Sequence, residues 1–257
     1  RDSLFRQFGL MRDALNRTGR PMFFSVCGGG DQPLLANLSY YAADPRGGAG
    51  LANAWRISSD CISWLTCRSA YEIAGALGGY AGPGGFNDPD MLLGSSAGAV
   101  RRLSPARSRT QFSLWAMLMA PLLLGARLAD LSAFDLDTYL NKEVIAVSQD
   151  GLGKQGFVVV ESLWAAIFAR ELAGGDIALV FVSHRPLHDA DVVCDGACWE
   201  KLPIASGAAL SVRDLWAHRP AEQPEALAGS SYAVRVPPGG GSRMLRLAAS
   251  SPSSVVV

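Results

Sequence analysis

"GPGGFNDPDML" occupies residues 82–92. Its three glycines and two prolines deny it helix, and Pro89 holds Asp88 and Asp90 one residue apart on a stiff loop. Read alone, Asp-Pro-Asp is more often a turn with solvated acids than a working site. The flanks change its weight. "NAWRISSD" (53–60) and "PMFFSVC" (21–27) read as buried strands, and 82–92 as a strand end with its loop. "SWLTCRSAYEIAGAL" (63–77) and "RSRTQFSLWAMLMA" (107–120) read as helices, "PLLLGARL" (121–128) as a further strand and "DLDTYLNKEVIAVSQ" (135–149) as a closing helix. Alternating strands and helices predict parallel strands with crossover helices, hence an open α/β sheet or a barrel. Asp31, Asp60, Asp88 and Asp90 crowd the C-terminal ends of those strands, the end at which α/β barrels carry their chemistry.

After residue 150 the pattern becomes β-rich. "GFVVVESLWAAIFAREL", "DIALVFVSH", "ALSVRDLW", "SYAVRVP" and "SRMLRLA" are short runs separated by Gly, Pro and Asp, as in an antiparallel sandwich. The expected organisation is therefore two domains, 1–150 within a β/α barrel and 151–257 an antiparallel β domain.

The chain has 257 residues, 49% of them hydrophobic, with 23 basic and 23 acidic residues. That balance offers no basic stripe for nucleic acid and no polybasic run for a membrane surface. The longest apolar stretch, "FSLWAMLMAPLLLGA" (112–126), is too short to span a bilayer and contains Pro121. Residues 1–20 hold no unbroken apolar run of the signal-peptide kind. A first residue other than Met, and a helix feeding at once into a buried strand, lead us to expect the C-terminal portion of a longer protein.

The five cysteines are Cys27, Cys61, Cys67, Cys194 and Cys198. An odd number leaves at least one thiol free unless pairing is intermolecular. "CDGAC" (194–198) lacks a second Cys or His pair at zinc spacing, so a local disulfide is favoured over a metal. The sequons at Asn16 and Asn37 agree with an oxidising, secretory route, though each is a weak signal alone.

Several ordered blocks now carry a resemblance. "GPGGFNDPDML" resembles the "GPGGWNDPDML" signature of glycoside hydrolase family 27 α-galactosidases, with Phe86 for the usual Trp. "ALNRTGRPMFFSVC" (14–27), "NAWRISSD" (53–60), "VIAVSQDGLGKQG" (144–156), "VRDLWAH" (212–218) and "CDGAC" resemble further segments of that family in the same order. The resemblance implies a barrel of eight strands followed by an antiparallel β domain, of which this chain holds the second half of the barrel and the β domain. It implies retaining hydrolysis of terminal α-D-galactosyl residues, with Asp60 as general acid/base. Arg56 matches an arginine that binds the sugar or nucleophile region, and Asp90 and Met91 match positions that close the sugar pocket. Without the family, Arg56 and Asp60 would read as a structural ion pair. Asp88 reads as a brace for the loop, and Trp55, Trp64 and Trp115 as core. The resemblance implies no metal or cofactor, a carbohydrate partner with terminal α-galactose, a homodimer as the assembly open to the full-length protein, and a secreted or lysosomal/vacuolar setting.

The departures are specific. The family's nucleophile sits in a K-x-D-x-C strand, and that motif does not occur here; Asp2 lacks its context. This chain alone is therefore expected to be inactive. Where the family usually has Cys-Glu-Trp, this chain has "CGGGD", with Gly28 in place of the glutamate that contacts the galactose 2-hydroxyl. The related α-N-acetylgalactosaminidases also lose that glutamate and are the alternative, as is a non-catalytic carbohydrate-binding remnant. Asp31 is a candidate substitute acceptor, and Cys27, whose family partner position is Ala52, is expected to be free.

Overall fold

The computed structural model describes residues 2–27, 48–96 and 102–250. Gly28, Asp31 and Asn37 lie outside the described residues. The first half is helix α1 (Asp2–Arg17), strand β1 (Ser25–Val26), the short α2 (Gly48–Leu51), β2 (Ala54–Arg56), α3 (Trp64–Ala76), β3 (Phe86–Asp88), α4 (Pro105–Met117), α5 (Ala133–Tyr139) and α6 (Lys142–Ser148). β1, β2 and β3 lie in that order, parallel, with Ser25 beside Ala54 and Trp55 beside Asn87. A parallel bridge from Leu92 to Leu124 extends the arc.

The helices have identifiable starts. Ser63 caps α3 in a reciprocal capping box with Thr66, and Ser104 caps α4 with Pro105 in its first turn. α4 is buried along most of its length, from Ser108 to Met117, because it lies between the barrel arc and the β domain.

Three expectations need correction. Residues 121–128 form no strand beyond the single bridge at Leu124; Pro121 has no N–H for a ladder, and Leu123 is exposed. The helix expected over 135–149 is two helices. Asn141 breaks it by capping α6, its side chain accepting from the Glu143 and Val144 amides. Buried strand 21–27 shrinks to Ser25–Val26, with Met22 and Phe23 exposed.

The second half is antiparallel. β4 (Phe157–Glu161), β5 (Ala165–Glu171), β6 (Ile177–Ser183), β8 (Ala209–Asp214), β9 (Arg219–Leu227) and β11 (Ser242–Ala249) form a six-stranded sheet in the order β4-β5-β6-β11-β8-β9. β7 (Ala190–Cys194) and β10 (Tyr232–Val236) form a second, two-stranded layer. The fold is thus an arc of a β/α barrel followed by an antiparallel β-sandwich. Strand β9, with Pro220 and Pro224, takes an edge, where missing donors cost the ladder least.

Alternate residues of the large sheet serve two cores. Phe168, Val180, Val182 and Met244 join the barrel-side cluster with Trp55, Tyr71 and Trp115, whereas Ile167, Leu179, Phe181, Leu245 and Leu247 pack inside the sandwich. Arg170 locks the seam. Fully buried, it donates to the carbonyls of Ala116 (2.6 Å) and Ser148 (3.3 Å), at the ends of α4 and α6. The Ser148 carbonyl lies in the last turn of α6, where intrahelical donors run out, and the Ala116 carbonyl, which also accepts the Met119 amide, takes the guanidinium on its second lone pair. Burial depresses its pKa to about 10, still far above neutrality.

Candidate active site

β2 and β3 run side by side and deliver Arg56 and Asp88 to the same end of the sheet. The segments that follow carry Asp60 and Asp90. The Arg56 guanidinium bridges them, its Nη2 lying 3.1 Å from Asp60 Oδ1 and 3.0 Å from Asp90 Oδ2. The two carboxylates differ in setting. Asp90 is nearly enclosed and Asp60 largely in solvent, with side chains 11% and 76% exposed.

Asp90 is fixed from all sides. Its Oδ2 accepts from the Cys61 amide and its Oδ1 from the Met91 amide, each at 2.8 Å. Its own amide donates to Asp88 Oδ1 at 2.8 Å, and its carbonyl accepts from Trp115 Nε1 at 2.6 Å. These contacts hold Asp90 at φ 86°, a region costly for a residue with a Cβ, of order 1–3 kcal/mol. Such strain at a polar cluster is a mark of function. Asp88 is buried and braces the loop. Burial raises its carboxyl above the ordinary range, and the Asp90 amide, Arg56 and Ser25 draw it back down.

Behind the loop lies a buried amide network. Asn87 accepts from Trp55 Nε1 (2.8 Å) and donates to the Leu77 carbonyl (2.9 Å) and to Gln155 Oε1 (2.8 Å); Gln155 in turn donates to the Ala74 carbonyl (2.7 Å). Gln111 of α4 clips the other side, donating to the Met91 carbonyl and accepting from the Leu93 amide. The same Gln111 Nε2 touches Cys61 Sγ at 3.3 Å and Cys67 Sγ at 3.6 Å. These two cysteines form a disulfide that sequence reasoning missed. The signal was there, since Cys61 directly follows Asp60 and Cys67 sits one turn into a helix capped at Ser63.

Arg56, Asp60 and Asp90 thus come together, with Met91 beside them and exposed. Cys194 and Cys198 are joined to each other around a short helix, α7 (Gly196–Trp199), and Cys27 is free and exposed. Asn16 is exposed on α1. Trp55 and Trp115 are fully buried core. Among the described residues no group of three His, Cys, Asp or Glu side chains could hold a metal, and no helix is long and apolar enough to cross a membrane.

Comparison with known proteins bears on the family and the fold. The family model described as Alpha galactosidase A matches residues 2–150, and that described as Alpha galactosidase C-terminal beta sandwich domain matches residues 164–247. Alpha-galactosidase 3 of Arabidopsis thaliana is 34% identical over 218 residues, covering 81% of this chain and 45% of its own length. The Alpha-galactosidase of Oryza sativa subsp. japonica is also 34% identical over 218 residues, covering 84% and 48%. The crystal structure of alpha-galactosidase I from Mortierella vinacea superposes with a TM-score of 0.78 at 25% identity, covering 97% of this chain and 64% of that one. The chain spans about half the length of the curated relatives it matches.

Proposed function

Because the chain belongs to the alpha-galactosidase family, we propose that it supplies the acid/base half of a retaining α-galactosidase site. The substrate is a terminal α-D-galactosyl residue of an oligosaccharide or glycoconjugate. The observation that carries this reading is the bridge from Arg56 to both Asp60 and Asp90.

The two carboxylates suit different work. Asp90 has both oxygens engaged by backbone amides and Arg56, so it is a fixed acceptor for sugar hydroxyls and a poor nucleophile. Among the described residues the Asp60 side chain is held by Arg56 alone and is open to solvent, so it can give a proton to the leaving oxygen and later take one from water. Met91 lends an exposed apolar surface to the sugar's edge. Retention needs a second carboxyl about 5–5.5 Å from the first to attack the anomeric carbon. We assign that nucleophile to a part of the parent protein outside these 257 residues. Residues 1–150 then belong to the catalytic barrel and 151–257 to the β domain. Two disulfides fit a secreted or lysosomal/vacuolar protein.

Gly28, standing in the sequence where the family usually has glutamate, favours a second reading, α-N-acetylgalactosaminidase, whose members also lack that glutamate. The rates on aryl α-galactoside and aryl α-N-acetylgalactosaminide, measured on a parent carrying the nucleophile, separate the two. In that parent Asp60→Ala should slow poor leaving groups most, and azide should restore turnover with retained configuration. Equal loss on all substrates without azide rescue removes Asp60 from the role. The 257 residues alone should not turn over an activated α-galactoside.

A further inference from the structure

The β domain contains a polar cleft of about 520 Å³ that the chemistry above does not use. It opens at the mouth of the sandwich, between β10 and the turn joining β8 to β9, with β11 as its floor. Its distinctive residue is Arg243. On β11, Leu245 and Leu247 point into the sandwich interior and Met244 points away to the barrel. Strand alternation puts Arg243 on the same face as Leu245 and Leu247. It is a half-buried cation on an apolar face.

Its guanidinium nitrogens still reach solvent within the cleft, so they are open to an anionic ligand. Among the described residues neither Arg243 nor the nearby Arg219 forms a side-chain hydrogen bond or ion pair. The acids lining the cleft are mostly committed. Asp214 Oδ1 accepts from the Trp216 and Ala217 amides to brace the turn, and Asp191 lies 3.5 Å from Arg235. Glu222 and the outer oxygen of Asp214 face the two free guanidiniums, with neither acid paired to them among the described residues.

The walls are aromatic. The Arg109 guanidinium lies 4.9 Å from the Trp216 ring centre and 4.6 Å from that of Phe134, and its Nη2 is paired with Asp137 at 2.6 Å. Arg109 Nε is buried without a hydrogen-bond partner. Tyr232 donates to the Gln223 carbonyl at 2.7 Å, which leaves its oxygen free to accept. Flat aromatic surface beside unpaired guanidiniums matches a ring-shaped ligand bearing a carboxylate, which arginine grips with paired hydrogen bonds. The volume suits a disaccharide-sized ligand. Arg109 also lies in the second turn of α4, the helix that starts beyond the Asp90 loop.

We propose that this cleft is a second saccharide site, specific for an acidic sugar that carries a carboxylate, such as a uronic acid unit. The anion preference rests on Arg243 and Arg219; that the anion is borne on a sugar rests on the α-galactosidase reading. Such a site would anchor the uronate-bearing part of a polymer away from the bond being cut.

Calorimetric titration of the 257-residue chain at low ionic strength, where exposed charges act at full strength, tests this. The ligands are digalacturonate, the neutral galactobiose and the non-sugar dicarboxylate succinate. Digalacturonate should bind at least about tenfold more tightly than either of the others, from charge-assisted bonds. Arg243→Met and, separately, Arg219→Met should each remove most of that preference without shifting thermal unfolding. Glu222→Gln should strengthen digalacturonate binding about two- to threefold by removing a like charge. Equal binding of galactobiose, or no binding by any ligand, overturns the site. Succinate binding as tightly as digalacturonate overturns the sugar assignment and leaves the α-galactosidase reading untouched, because that reading is tested at Asp60.

Discussion

Breaking the Cys61–Cys67 bridge should disturb the candidate site far more than its small contribution to stability implies. The cysteines are six residues apart in sequence, and Cys194 and Cys198 four. By the loop-entropy relation each bridge restricts the unfolded chain by about 2 kcal/mol. Cys61→Ser with Cys67→Ser, and Cys194→Ser with Cys198→Ser, should therefore lower the urea-unfolding free energy by similar amounts. Their local effects should differ. The Cys61 amide donates to Asp90 Oδ2 at 2.8 Å, and Gln111 packs on both sulfurs while holding the Met91 carbonyl. A charge-assisted bond of this kind is worth about 1.5–3 kcal/mol. Losing it should speed amide hydrogen exchange at residue 61 roughly ten- to a hundredfold, with a smaller rise at Met91. The β-domain pair should leave both amides unchanged. Unchanged exchange at residue 61 in the first variant, or equal acceleration in the second, would refute the idea that this disulfide fixes Asp90.

Asn87→Leu should cost about 2–5 kcal/mol, because it strands the Trp55 Nε1–H and Gln155 Oε1 in the core, while the Leu77 carbonyl keeps the Tyr80 amide; a loss below about 1 kcal/mol in urea titration would contradict that network. His184, almost fully buried, has its pKa lowered to about 4 from 6.5, burial being the first cause and Arg68 the second, with Glu72 and Glu161 opposite. The unfolded chain thus takes up a proton near pH 6.5 that the folded chain refuses until about pH 4. Stability from this site is complete above pH 6.5 and is lost as pH falls from 6.5 to 4. His184→Gln should shrink the drop in urea midpoint between pH 7 and pH 5, and an unchanged drop would rule His184 out as its source.

Much of the barrel half was legible because its signals are local. Helix 107–120 was read from its apolar density and is observed at Pro105–Met117; helix 63–77 is observed at Trp64–Ala76. Both have a serine cap that limits where they can start. The failures came where a hydrophobic run says "buried" without saying how. "PLLLGARL" is apolar enough for a strand, yet the Leu92 amide and carbonyl bond only to Leu123 and Gly125, so one bridge forms and no ladder. Periodicity alone could not show the break at Asn141, whose effect depends on its side chain turning back onto the next two amides. "GFVVVESLWAAIFAREL" reads as one run, but Ser162 folds it into a hairpin by accepting from the Ala165 amide.

The candidate site divides along the same line. Arg56, Asp60 and Asp90 are picked out in the sequence by the family resemblance of the two short segments that carry them, since residue type and spacing alone read as an ion pair and a turn. What holds them is not, because it comes from distant segments whose residues look ordinary in isolation. Gln111 lies in the middle of a helix, Gln155 in a linker and Arg170 in a strand, and nothing adjacent to them marks a role. Each is a long polar side chain that reaches a backbone carbonyl near the end of a helix or in a loop: Met91 for Gln111, Ala74 for Gln155, and Ala116 and Ser148 for Arg170; the Ala74 and Ala116 carbonyls also accept the Leu77 and Met119 amides, so there the side chain uses the second lone pair. Lone pairs so presented exist only once helices have ends and neighbours. A buried side-chain donor without an acceptor costs about 1–3 kcal/mol, so each of these side chains is tied to the place where such a lone pair lies. The resemblance of short segments picks out the carboxylates, and the scaffold around Asp90 is found only by asking which distant side chain reaches each helix end and loop carbonyl.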